Sequence, residues 1–227
     1  MRRFIMKIEN IKACVFDAYG TLFDVNSAAS KCKEKLGSRW EGFANAWRTT
    51  QLEYTWLRSL MKKHKNFWEI TEDSLDHTME TFKIKKEMRN ELLDLYKKLS
   101  PYPEVKECLQ ELKAKKIKIA ILSNGTPNLL KELVESNKIQ NYFDDIFSIE
   151  TVGIYKPDSK VYEIPIKNYD CKPKNICFMS SNTWDVSGAG LFGYNAVWVN
   201  RFNKIFDKLS YKPKFVINNL KELLTVI

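Results

Sequence analysis

The sequence predicts an α/β protein: a doubly wound, parallel, Rossmann-like sheet with an inserted helical cap subdomain. Three observations lead there. Short apolar runs recur along the chain, and several of them end in a polar cluster. Helix-patterned stretches lie between the later runs, and strand alternating with helix is the pattern of a parallel sheet covered on both faces. Between Asp24 and Ser100 the alternation stops and apolar residues recur at near-helical spacing.

Taken in order, Ile11 to Phe16 (IKACVF) reads as a buried strand ending at Asp17. The segment that follows has no proline before Pro101 and no glycine after Gly42 until Gly125, so nothing punctuates it strongly. Glu41 to Lys63 reads as one long helix, with Phe43, Ala46, Trp47, Tyr54, Leu57 and Met61 on its apolar side. Thr71 to Phe82 and Lys85 to Leu99 read as two more. Ser100-Pro101-Tyr102-Pro103 stops the last of them. Beyond it, strands are expected at Ile117–Leu122, Asp145–Ile149, Ile176–Met179, Asn195–Val199 and Phe215–Ile217. Helices are expected at Val105–Lys115, Pro127–Asn137 and Lys160–Tyr169, the last interrupted by Pro165. The division that follows is a core of residues 1–24 and 99–227 with a cap of residues 25–98.

With 227 residues, 44% hydrophobic and 13% aromatic, the chain has enough material for one packed core carrying an insertion. No run approaches the roughly 18 apolar residues of a membrane span. The basic start Met1–Met6 is followed at once by Lys7, Glu9 and Asn10, so a secretory signal is not expected and the protein is read as cytoplasmic. Five cysteines without a CxxC pair suggest neither a disulfide framework nor a zinc site, and Cys14, inside an apolar run, reads as core. Two histidines, His64 and His77, exclude a multi-histidine metal site. The net charge of +9 comes from basic residues that are scattered and interrupted by acids. It is therefore read as a solvated surface that attracts small anions, without a nucleic-acid partner.

In open parallel sheets, ligands bind beyond the C-terminal ends of the strands. Here the strand ends read FDAYGT (Phe16 to Thr21), SNGT (Ser123 to Thr126) and SSNTWD (Ser180 to Asp185), and GIYKPD (Gly153 to Asp158) follows the third strand. Taken alone, Asp17 reads either as a helix-capping aspartate or as a nucleophile. The other strand ends favour the second.

Together these segments resemble the haloacid dehalogenase superfamily over nearly the whole chain. Asp17, Gly20 and Thr21 are similar to its first motif, Ser123 to its second, Lys156-Pro157 to its third, and Asp185 in part to its fourth. Within that resemblance, phosphatases carry a second acid two residues after the nucleophile to protonate the leaving alkoxide. Tyr19 stands there instead. They also cluster carboxylates in the fourth motif to hold magnesium, where this chain has Ser181-Asn182. A halide leaves as an anion and needs neither. The cap run WRTTQLEYTWLRSL (Trp47 to Leu60) also looks like that of L-2-haloacid dehalogenases, the branch this resemblance implies.

What the resemblance implies for this chain is as follows. Asp17 attacks the halogen-bearing carbon of a small 2-haloacid, and water then hydrolyses the ester, with one inversion, no cofactor and no metal. Arg48, with Asn124 as its partner, receives the halide. Ser123 and the backbone at Ala18 and Tyr19 hold the substrate carboxylate. Lys156 offsets the negative charge, and Asp185, supported by Ser180 and Asn182, orients or deprotonates the water. Thr21 and Tyr162 fall on positions the family uses. Tyr19, Leu52, Phe67 and Trp184 line an apolar pocket, Thr49 stands where relatives carry a longer polar side chain, and a homodimer is expected. Arg58 matches no catalytic position. A magnesium-dependent phosphatase and a non-catalytic binding module on the same fold stay open as alternatives.

Overall fold

Six strands form one parallel sheet in the order β3-β2-β1-β4-β5-β6. They are β1 (Ala13–Phe16), β2 (Lys118–Ser123), β3 (Asp145–Ser148), β4 (Ile176–Ser180), β5 (Asn195–Val199) and β6 (Phe215–Ile217). The computed structural model describes residues 7–227, so the Met1–Met6 stretch read above as no secretory signal lies outside the described residues. β1 is buried throughout and pairs in parallel with β2 on one side and β4 on the other. A strand covered on both faces needs no polar alternation, which is why its sequence is a continuous apolar run. The winding reverses at β1, and the crevice beyond β2, β1 and β4 is where such a sheet leaves room for a ligand.

Between β1 and Pro101 lie five α-helices: α1 (Ser27–Lys31), α2 (Lys33–Leu36), α3 (Trp40–Met61), α4 (Phe67–Phe82) and α5 (Met88–Tyr96). The short α1 and α2 were not expected. α4 begins four residues earlier than Thr71. Asn66 accepts from the Glu69 N–H while Glu69 accepts from the Asn66 N–H, and this reciprocal cap starts the helix at Phe67. On α3, Phe43, Ala44, Trp47, Gln51 and Thr55 make one buried stripe in which two members are polar. The segments into and out of this insertion run side by side. Asp24 N–H donates to Ser100 O (2.8 Å) and Tyr102 N–H to Leu22 O (3.0 Å), around an antiparallel bridge between Phe23 and Pro101.

The remaining helices are α6 (Val105–Ala114), α7 (Pro127–Ser136), α8 (Ser159–Asn168), α9 (Thr183–Phe192) and α10 (Leu223–Val226). α8 runs through Pro165 without interruption, contrary to expectation; buried Pro165 forgoes one backbone hydrogen bond, to Val161. α9 was not anticipated, because Ser187-Gly188-Ala189-Gly190 has poor helix propensity. Its glycines answer to packing. A Cβ at Gly188 would lie 2.6 Å from Pro157 Cβ and from the Tyr162 hydroxyl, and one at Gly190 would lie 2.1 Å from the Tyr211 ring. Among the described residues no helix is long and apolar enough to cross a membrane.

Gly188→Ala is expected to lower stability by about 1–3 kcal/mol, since Pro157 or Tyr162 must move. The midpoint of urea unfolding measures this. A midpoint equal to the parent's would show that the approach is not tight.

Candidate active site

Asp17 follows β1 directly and continues its pairing, its N–H donating to Met179 O at 2.9 Å. Its side chain caps no helix, since α1 starts at Ser27. Instead the carboxylate, in a residue only 5% exposed, collects donors. Oδ2 accepts from Thr21 Oγ1 (3.0 Å), Ser180 Oγ (3.3 Å) and Asn182 Nδ2 (2.8 Å), while Oδ1 accepts from Lys156 Nζ (3.2 Å). Asn182 also reaches Tyr19 O (3.0 Å), and Thr21 Oγ1 accepts from Ser181 N–H (2.8 Å). The turn after β1 is thereby tied to the turn after β4.

Lys156 is fully buried, an expensive place for an ammonium unless it is paired. It lies between Asp17 and Asp185, whose Oδ2 it reaches at 2.9 Å, and 4.9 Å from the centre of the Phe178 ring. Tyr162 donates to Asp185 Oδ1 at 2.8 Å. Burial and the nearby Asp17 charge push the Asp185 carboxyl up to about 6 against the pull of Lys156 and the Tyr162 hydrogen bond. Burial, with Asp185 beside it, holds the Tyr162 hydroxyl protonated and therefore a donor. Among the described residues no three His, Cys, Asp or Glu side chains converge where they could hold a metal ion. The position between the two carboxylates belongs to an ammonium.

On the β2 side, Ser123 and Asn124 are buried. Ser123 Oγ accepts from Gly125 N–H (3.1 Å), and Asn124 Oδ1 accepts from Lys156 N–H (3.2 Å). Asn124 therefore bonds to the lysine loop and, among the described residues, makes no hydrogen bond to Arg48. The Ala18 and Tyr19 N–H groups donate to no other described group, which leaves two amides free beside Asp17.

The expected apolar pocket is divided. Leu52 lines a cavity of about 460 Å³ together with Arg48, Thr49, Gly20 and Asn182, and this cavity adjoins the Asp17 turn. Trp184 lines a separate apolar groove of about 450 Å³ with Trp56 and Pro157. Tyr19 and Phe67 are buried against each other, with ring centres 5.1 Å apart. Along α3, Arg48, Leu52 and Trp56 follow in i,i+4 steps that each turn by about 40°, so the row drifts from the cavity at Arg48 and Leu52 to the groove at Trp56. Arg48 itself donates to Gln51 Oε1 at 2.9 Å. Arg58 pairs with Asp73 inside the insertion.

Two features went unanticipated. Gln51 is 1% exposed, and its only sequence signal is an amide within the buried stripe of α3. Arg201, after β5, pairs with Glu104, donates to Thr21 O (2.7 Å) and stacks 3.9 Å over Tyr102. It braces the turn after β1 against the segment leaving the insertion, and only the fold brings these residues together.

Residues 11–193 match the family model of haloacid dehalogenase-like hydrolases. The (S)-2-haloacid dehalogenase 1 of Pseudomonas sp. (strain CBS-3) is 41% identical over 219 residues, covering 95% of this chain and 96% of that protein. The crystal structure of a dehalogenase superposes with a TM-score of 0.95 at 36% identity, over 97% of this chain and 98% of that one. The L-2-haloacid dehalogenase of Xanthobacter autotrophicus, solved with chloropropionic acid covalently bound, superposes with a TM-score of 0.87 at 33% identity, over 94% and 96% of the two chains.

Lys156→Met removes the ammonium that lies between two buried carboxylates and is expected to cost about 3–5 kcal/mol at about pH 8. The loss should shrink at about pH 5, because Asp185, already pushed up to about 6, then takes a proton and sheds its charge. Guanidinium unfolding at both pH values measures it. Equal losses would remove charge pairing as the cause.

Proposed function

The chain belongs to the haloacid dehalogenase-like hydrolases, and on that premise we propose that it is an (S)-2-haloacid dehalogenase. It hydrolyses L-2-haloacids to D-2-hydroxyacids. The observation that carries this reading is the buried Asp17 carboxylate, held by four donors, with a phenol and not an acid two residues further on. The carboxylate is presented as a nucleophile, and position 19, where a phosphatase carries its general acid, holds a phenol whose pKa burial raises further.

Asp17 attacks C2 of the substrate from the side opposite the halogen. A C–O bond forms, the C–X bond breaks, and its electron pair leaves with the halide. Oδ2 carries three of the donors, so Oδ1 is the freer oxygen for attack. The free N–H groups of Ala18 and Tyr19, with Ser123, take the substrate carboxylate, as amides at a strand-end turn suit an anion. Arg48, on the cavity it shares with Asn182, receives the halide. Water then adds to the Asp17 carboxyl carbon, losing a proton to Asp185; the ester breaks at its acyl–oxygen bond, and that proton passes on to the departing 2-hydroxyacid oxygen, which restores both carboxylates. C2 is inverted once. A carboxylate with its pKa moved toward neutrality is well matched to that proton. The covalent chloropropionic acid in the Xanthobacter relative supports the ester step.

The same reading makes residues 25–98 a cap over a core of 1–24 and 99–227, supported by the paired segments at Phe23 and Pro101. It also makes the protein a cytoplasmic homodimer. Its described cysteines are all free, and α3 exposes Leu57, Leu60 and Met61 as an apolar face.

Purified protein given L- and D-2-chloropropionate in EDTA should release chloride from the L form alone, and Asp17→Asn should abolish that release. Phosphate release from p-nitrophenyl phosphate with magnesium, and no halide, would establish the phosphatase instead. Silence in both assays would favour a binding module. On the acid side, kcat should fall as pH drops through about 6, because protonated Asp185 cannot accept the water's proton. Asp185→Asn should accumulate the Asp17 ester, visible as added mass on the intact protein. Normal turnover by that variant would remove Asp185 from the water step.

A further inference from the structure

Arginine carries donors only, so whatever fixes its guanidinium must be an acceptor. Among the described residues the acceptor is a carboxylate for three other arginines, Arg58 with Asp73, Arg89 with Asp76 and Arg201 with Glu104, while exposed Arg39 donates to the backbone oxygen of Phe82. Arg48 differs. Its Nη1 donates at 2.9 Å to the neutral amide oxygen of buried Gln51. A carboxylate there would fix the side chain equally well and cancel its charge.

The amide has one workable orientation. Its oxygen must face Arg48, so its nitrogen faces Thr71 Oγ1 (2.7 Å) and the Tyr96 hydroxyl (3.0 Å). Thr71 can accept because its own proton goes to Phe67 O (2.7 Å). Tyr96 Oη lies 3.3 Å from Gln51 Oε1 and can return a proton there. Three helices of the insertion thus converge on one amide, and its oxygen is fixed at the guanidinium.

We propose that Gln51 is the positioning residue of Arg48: a buried neutral acceptor that orients the guanidinium and leaves its positive charge for the departing halide. This rests on the dehalogenase reading above. Gln51 touches neither substrate nor halide and acts only through Arg48.

Gln51→Glu separates this role from a structural one. The hydroxyls of Thr71 and Tyr96 can rotate to donate to the new carboxylate, so the variant should fold with a melting temperature near the parent's. Its guanidinium, however, is neutralised. With L-2-chloropropionate, kcat should fall about 100-fold, the scale of losing one donor at developing charge. The loss should be smaller with L-2-bromopropionate, whose better leaving group needs less help. Gln51→Met keeps the volume and removes the acceptor. It should be less stable than Gln51→Glu yet faster, an order that a purely structural role reverses. In an Arg48→Met background, Gln51→Glu should change the residual rate by no more than about twofold.

If the parent enzyme releases halide and Gln51→Glu matches its rate, the proposal fails while the function stands. Equal fold-losses with and without Arg48 also overturn it. A parent that releases no halide sinks both readings.

Discussion

The buried ammonium of Lys156, set between the carboxylates of Asp17 and Asp185, is the constraint around which the rest of this structure is arranged. One positive and two negative charges away from water are tolerable only if every oxygen has a donor. Thr21, Ser180, Asn182 and Tyr162 supply them, from the turn after β1, the end of β4 with the turn that follows it, and α8. The turns after β1 and β4, the loop before α8 and α8 itself are therefore held to one another by electrostatics as much as by packing. Gly188 belongs to the same arrangement, because only a residue without a side chain lets Pro157 and Tyr162 come so close to α9.

The insertion between β1 and β2 brings a second, complementary charge. The cluster in the core carries a net negative charge, and Arg48 on α3 faces the shared cavity with an uncancelled positive one. A substrate that enters with a carboxylate and releases an anion suits that division, with a nucleophile on one side and a receiver on the other. Arg201 fixes the junction. It binds Glu104 and stacks on Tyr102 just past the insertion, and it bonds to Thr21 O next to the proposed nucleophile. Arg201 thereby joins the segment leaving the insertion to the turn after β1.

Much of this was legible in the sequence wherever the cause was local. β5 and β6 fall on the residues expected, and the other strands differ by one or two residues at one end or, for β2, by one residue at both. A buried parallel strand shows itself as an uninterrupted apolar run. Asp17, Ser123, Lys156 and Asp185 were singled out because polar residues just past such runs have few structural reasons to be there. The failures came where local propensity and tertiary need disagree. α9 carries no local helix signal because its glycines serve neighbours distant in sequence, and Pro165 is carried inside α8 at the cost of one hydrogen bond.

The sequence by itself determined the sheet, the helical nature of the insertion, and the residue types of the site. It also determined that no acid follows Asp17 at position 19, which directs the chemistry toward carbon. Only the tertiary structure decided who partners whom. It gave Asn124 to the lysine loop, divided the expected apolar pocket between a cavity and a groove, and placed a neutral amide against Arg48. The reason is physical. An apolar period along one segment reports which face is buried, whereas a hydrogen-bond partner is fixed by the approach of separate segments, and no single segment carries that information.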